Sequence, residues 1–315
     1  IGVSAIGMML FTSRPVGDAM ATTIWGTSSS WTLTALPLFV WMGEILFRTR
    51  LSENLFKGLS PWMQKLPGGL IHVNVVGCAL FAAISGSSAA TVATVGKMSI
   101  PELRKRNYPE KILLGSLAGS GTLGLLIPPS IILIIYGVAV QESIAKLFIA
   151  GIIPGIMIAL IFMSYVIIWS LINKKSMPKI IEEYSFLEKI KRSKQLLPVI
   201  ILILAVIGSI YTGIATATEA ASLGVVGALI LSYFQKSLTL KTFKSSLLGA
   251  TKTSCMIAFI LAGSTFLSLA MGFTGLPRNL ALWIQNMDLS PYVLIFVLMI
   301  FYIILGMFLD GISAV

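Results

Sequence analysis

Along its hydrophobic and polar positions the chain alternates apolar runs with short polar interruptions, and the runs are of two kinds. Residues 31–47, 144–172, 196–213, 219–234, 253–272 and 291–309 are apolar enough to form helices at the scale of a bilayer, whose hydrocarbon core takes about 20 helical residues. Residues 66–96 are different. Their apolar pieces, near 70–84 and 88–97, are each too short to cross, and between them lies the small, hydroxyl-rich stretch AISGSSAATVATVG, Ala83 to Gly96. This pattern predicts a re-entrant helical hairpin with Ser85 to Ser88 at its tip. The next crossing is interrupted as well, reading KILLGSLAGSGTLGLLIPPS and then IILIIYGVAV. Pro128 and Pro129 lack amide donors and disfavour helix just before them, which predicts two half-helices, 111–127 and 131–140, around an irregular loop.

The order of elements then repeats. A long apolar helix, a polar amphipathic stretch (LSENLFKGLSPWMQKL) and an apolar leg lead to the SGSS tip; near the end of the chain a long helix, GLPRNLALWIQNM and the run 291–309 lead to FLDGISAV. Gly311 to Val315 matches Gly86 to Ala90 at three of five positions, offset by 225. Charge sets the orientation of the two copies. Twenty of the 23 Lys and Arg residues fall in 48–65, 97–111, 173–194 and 235–252, so these clusters are expected in the cytoplasm and the two hairpins on opposite sides of the membrane. An inverted-topology repeat, common in secondary transporters, is the organisation this implies.

Composition narrows the class. The 315 residues are 56% hydrophobic and 11% charged, which reads as an all-α polytopic membrane protein. The net charge of +11 comes from loop clusters that topology explains, so a nucleic-acid partner is not indicated. Cys78 and Cys255 lie far apart in apolar surroundings and read as small buried hydrophobes. The lone histidine, His72, is expected at the membrane interface at the foot of the hairpin. One histidine gives neither a zinc site nor a catalytic triad, no GxxxxGK[ST] loop offers ATP binding, and an intramembrane enzyme would need clustered ionisable residues in the spans. Both ends read as cut from a longer polypeptide.

Irregular backbone at membrane depth is tolerated where protein buries it or it lines a wet cavity. Free carbonyls near Ile84 to Gly86 and near Gly124 to Leu126 would present two helix C-termini to a small hard cation, for which Na⁺ needs no buried carboxylate. The helices beginning at Ser87 or Ser88 and after Ser130 would turn two N-termini toward a carboxylate. Close helix packing is the competing explanation for GSLAGSGTLG. Asp310, at the second tip, is a candidate ligand. Glu44 reads as an ion-pair partner of Arg48, and Glu219 as part of a cap with Thr216.

The combination of AISGSSAATVATVG, GSGTLGLLIPPS, GIATATEAASLGVVGALI and FLDGISAV resembles the large membrane subunit of the tripartite ATP-independent periplasmic (TRAP) transporters. Family members usually read Thr-Pro-Thr-Glu-Ala-Ala where Thr216 to Ala221 here is TATEAA. The resemblance implies an elevator-type secondary transporter of the ion transporter superfamily, driven by Na⁺ and working with a small membrane subunit, either separate or fused upstream, and a periplasmic substrate-binding protein. It implies a multi-pass protein of the bacterial inner membrane, in contact with lipid, importing an organic acid, with sialic acid favoured and a C4-dicarboxylate next. Carried onto this chain, Ser85, Gly86, Ser87, Gly121, Thr122, Gly124 and Pro128 would form a first Na⁺ site, and Gly311 part of a second. Ser85, Ser88, Ser130, Asp310 and Ser313 would meet substrate. The expected units are 1–65 (scaffold and arm helices of the first repeat), 66–140 (hairpin and broken helix of the transport domain), 141–195 (a helix and the basic loop), 196–272 (scaffold and arm helices of the second repeat) and 273–315 (an arm helix and the first leg of the second hairpin). A stand-alone divalent-anion/Na⁺ symporter needing no binding protein is the alternative, and a channel would also use re-entrant loops.

Overall fold

The computed structural model describes residues 1–11, 15–49, 51–178 and 184–309, the side chains of residues 11 and 51–53 aside. Among these residues every regular element is helical. Helices α1 (Gly2–Phe11) and α2 (Val16–Ser28) lie against the long α13 (Leu240–Phe273), and a short 3₁₀ turn, Trp31–Thr34, leads from α2 into α3 (Ala35–Phe47) with a bend of 49°. Helix α3 sits at the centre, packed on α13, on α12 (Ala217–Phe234) and on α5 (Ile71–Ser85). Its buried Leu36, Phe39, Val40, Met42 and Leu46 join the principal core.

The amphipathic stretch forms α4 (Leu51–Met63), which buries Leu55, Phe56 and Leu59 at helical spacing and keeps Lys57 outside. The expected hairpin follows. Helix α5 has 15 residues, about 22 Å at 1.5 Å per residue, and so falls short of a hydrocarbon core of about 30 Å. It ends at Gly86, whose φ of +58° is the left-handed C-terminal turn that glycine adopts without steric cost. Ser87 caps α6 (Ser88–Lys105), which folds back on α5. The second leg is longer than the expected 88–97, because the lysine and arginine positions up to 105 continue the helix outward instead of ending it.

The broken crossing is α7 (Glu110–Gly121), a 3₁₀ turn Thr122–Leu125, the cis-linked Pro128–Pro129, and α8 (Ile131–Val140). Regular α-helix thus stops at Gly121 and not at 127, where a run with two glycines and a following Pro-Pro pair tightens the last turn. Helix α9 (Ile144–Ile172) is long and apolar enough to cross a membrane. The basic loop contains a short helix, α10 (Phe186–Ser193), at 58° to α11 (Leu197–Tyr211). Thr216 and Glu219 form a reciprocal cap at the start of α12, as expected.

Two expectations change, and a third residue, His72, lies at the foot of the hairpin as expected but is enclosed by protein. The fourth basic cluster is not a separate loop before residue 253: Thr239 caps α13, and Lys241 and Lys244 ride exposed on its first two turns with Lys252 two turns further on. His72 is fully buried and its Nε2 lies 2.8 Å from the Pro67 carbonyl, because the chain between α4 and α5 folds over it. Cys78 is buried, but Cys255 is exposed on α13. Finally, α14 (Leu276–Gln285) and α15 (Pro291–Phe308) carry the second amphipathic stretch and apolar run, and neither has a buried residue among those described.

Candidate binding site at the hairpin tip

Three chain segments that are far apart in sequence meet at the end of α5. The Ile131 amide at the start of α8 donates to the Gly86 carbonyl at 3.4 Å, so the hairpin tip is tied to the N-terminus of the second half-helix. A Cβ on Gly86 would lie 2.9 Å from both the Ile131 nitrogen and the Pro129 oxygen. A Cβ on Gly124 would lie 2.9 Å from the Ser87 carbonyl carbon and 3.0 Å from the Ser88 nitrogen. The break in the crossing therefore presses against the tip, backbone on backbone, and glycine is needed on both sides of the contact. Helix α3 closes a third side, where a Cβ on Gly43 would come within 3.0 Å of the Ser85 Cα.

The hydroxyls at the tip are arranged around the turn itself. Ser85 is buried, and its Oγ lies 2.9 Å from Thr91 Oγ1, 3.3 Å from the Ser87 carbonyl and 3.4 Å from the Ser87 amide. Thr91 donates to the Ser87 carbonyl at 2.7 Å, while Ser87 Oγ accepts the Ala90 amide as the cap of α6. Ser88 is half-buried beside them. Of the last carbonyls of α5, that of Ala82 accepts the Gly86 amide, whereas those of Ile84 and Ser85 receive no donor among the described residues.

The broken crossing contributes mainly backbone. Ser130 is fully buried, and its hydroxyl donates to the Leu125 carbonyl at 2.5 Å, so it reaches the junction through the start of α8. Gly121 packs on Val92 of α6, where a Cβ would collide with its side chain. Thr122 is exposed and returns its hydroxyl to the Gly119 carbonyl at 2.6 Å. Pro128 is buried, with Gly151 of α9 close to it and to the Leu126 carbonyl. The structure thus gathers Ser85, Gly86, Ser87, Ser88, Gly124 and Ser130 around one junction and brings Gly121 and Pro128 to its edges, with Thr122 turned away. Asp310, Gly311 and Ser313 lie outside the described residues.

Sequence reasoning missed Thr91, Gly43, Gly151 and Gly155. Thr91 had a local signal, since it follows Ser87 by four residues and must share its helix face. Gly151 and Gly155 form a small-xxx-small pair on which Leu126 and Ile127 of the broken crossing rest, a pattern that marks close helix approach in membranes. Gly43 carried no such mark, because its partner lies 42 positions away.

In chemical terms the junction offers neutral oxygens from a helix C-terminus next to the N-termini of two other helices. That is a setting for a cation and an anion side by side.

The whole chain, residues 1–315, matches the family described as the tripartite ATP-independent periplasmic transporter, DctM component. The C4-dicarboxylate TRAP transporter large permease protein of Pseudomonas aeruginosa is 32% identical over 313 residues, covering 98% of this chain and 72% of that protein. The sialic acid TRAP transporter large permease protein of Vibrio cholerae serotype O1 is 30% identical, with coverage of 98% and 72%. The 2,3-diketo-L-gulonate TRAP transporter large permease protein of Escherichia coli K12 is 32% identical, with coverage of 92% and 68%.

Proposed function

The chain belongs to the DctM component family of the tripartite ATP-independent periplasmic transporters, and from that premise we propose that it carries an organic acid across the bacterial inner membrane in symport with Na⁺. The observation that carries this reading is the junction itself, where the Gly86 carbonyl accepts the Ile131 amide and Gly124 lies against Ser87 and Ser88. Carbonyls without donors at the end of α5 supply oxygens for Na⁺, and the starts of α6 and α8 supply a positive field for a carboxylate. A carboxylate and Na⁺ held side by side each bind more tightly with the other present, and that mutual preference is what couples the two fluxes.

The partners follow from the family: a small membrane subunit and a periplasmic binding protein that hands over the substrate. The hairpin with its broken crossing is the part that moves, in an elevator fashion, against α3 and α13. For the substrate we favour sialic acid on the wording of the sequence, with a C4-dicarboxylate next. Of the relatives named above, one is named for each of these acids and the third for 2,3-diketo-L-gulonate, all at nearly equal identity.

The test is uptake into proteoliposomes containing this chain, its small subunit and a candidate binding protein, with N-acetylneuraminate and succinate offered in turn. Uptake that needs both an inward Na⁺ gradient and the binding protein is expected. Uptake unchanged when K⁺ replaces Na⁺ would reject the coupling, and uptake without a binding protein would favour the stand-alone symporter.

A further inference from the structure

A second polar feature lies at the basic end of the molecule, away from the tip. Helix α6 leads to it: Ser87, Thr91 and Thr94 follow at spacings of four and three and so share one face, and Lys97 stands one turn beyond. Thr94 and Lys97 border a cleft of about 370 Å³ whose other wall is Arg48, just past the end of α3, with Lys241, Thr242 and Ser245 of α13. A wider cleft shares Arg48, Lys241 and Ser245 and adds Lys244 and Lys252.

The charges there are unbalanced. Arg48 pairs with Glu44 and donates from Nε to Ser245 Oγ at 3.1 Å. Lys97, Lys241, Lys244 and Lys252 have no ion-pair partner among the described residues. The Thr94 hydroxyl adds an independent sign: the residue is 2% exposed, lines the same cleft, and its Oγ1 has no hydrogen-bond partner. A helical threonine can satisfy itself on the carbonyl four residues back, as Thr91 does on Ser87, whereas Thr94, which lines the cleft, does not.

We propose that this cleft binds a carboxylate anion and is the station at which the carried organic acid rests between the hairpin tip and the solution on the basic side. The inference builds on the transport reading above. Lysines supply attraction without the rigid bidentate fit that would trap the acid, and Thr94 lines the same cleft on the hairpin side. The cleft lies between the hairpin leg and the α3–α13 pair, so movement of the hairpin would open or close it.

The experiment uses Ser245→Cys in a Cys255→Ser background, because position 245 is exposed and lines both clefts while the native exposed thiol would also react. In membranes open to reagent on the basic side, succinate or N-acetylneuraminate is expected to slow alkylation of the introduced thiol by N-ethylmaleimide, relative to KCl at the same ionic strength. Combining Lys97→Gln with Lys241→Gln should raise the acid concentration for half-protection about tenfold. Thr94→Val should raise it too, with every charge in place. Absence of protection, protection undiminished in these variants, or equal protection by inorganic sulfate overturns the proposal. Protection that follows the phosphatidylglycerol content of the vesicles and not the acid also overturns it, and assigns the lysines to lipid headgroups. Uptake by the assembled transporter is measured separately. Loss of uptake with protection intact rejects the transport reading alone, and uptake with no protection rejects this station alone.

Discussion

Gly86 combines two demands that no other residue type meets. Its φ of +58° costs an L side chain about 1–2 kcal/mol, and any Cβ would also lie 2.9 Å from backbone atoms of Pro129 and Ile131 that cannot rotate away. Gly86→Ala is therefore expected to lower the thermal unfolding midpoint and abolish uptake, whereas Gly115→Ala, with nothing within 4 Å, should leave both unchanged. Equal behaviour of the two variants would show that the tip does not need its contact with α8. Ser85 makes a separate prediction. Its hydroxyl lies beside Thr91 and the turn, and if it ligates Na⁺ as proposed, Ser85→Ala should raise the Na⁺ concentration for half-maximal uptake roughly tenfold, within the about 1–3 kcal/mol that a lost buried partner costs. An unchanged Na⁺ dependence would leave the hydroxyl a packing role. At this scale the sequence pointed to the SGSS residues because polarity between two short apolar legs has few structural explanations. It was silent on Gly43, whose role exists only once α3 and α5 are side by side.

Elements were legible where the chain carries its own stop signals. Gly86, the Pro128–Pro129 pair and the Thr216–Glu219 cap each end or begin a helix by local chemistry, and the structure breaks at each of them. Boundaries were misjudged where charge was taken as the end of a helix. Lysine and arginine are good helix formers, so α6 runs on to Lys105 and α13 starts at Leu240, with their basic residues on exposed turns. The orientation argument survives this change, because it depends on which end of each helix is basic and not on where regular structure stops. Cysteines introduced at the exposed positions Lys57, Lys105 and Lys241 should react with a membrane-impermeant maleimide only from the cytoplasmic side, and one at Arg278 only from the periplasmic side. Labelling of positions 57 and 105 from opposite sides would turn the α5–α6 hairpin into a crossing and remove the re-entrant reading.

For the molecule as a whole, the question is whether the hairpin unit moves past α3 or stays locked to it. Helix α3 belongs to the same continuous core as α5, α12 and α13, and nothing in the hydrophobic contacts alone marks a sliding surface. The character of the α3–α5 contact does mark one: at Gly43 the two helices approach backbone to backbone without an interlocking side chain, and a smooth contact of that kind can shift without breaking a buried polar pair. A direct check joins the two surfaces. A Cβ at position 43 would lie 3.0 Å from the Ser85 Cα, so the two backbones are in contact there, and Gly43→Cys combined with Ser85→Cys is expected to cross-link on oxidation after a small shift of the helices. If the hairpin carries substrate by moving against α3, the oxidised double variant transports nothing, and reduction restores uptake to the level of the slower single variant. Uptake by the oxidised, fully cross-linked protein equal to that of the reduced protein would mean that α3 and the hairpin travel together or not at all. The moving boundary would then have to be sought elsewhere, first between α3 and the α12–α13 pair on its other side.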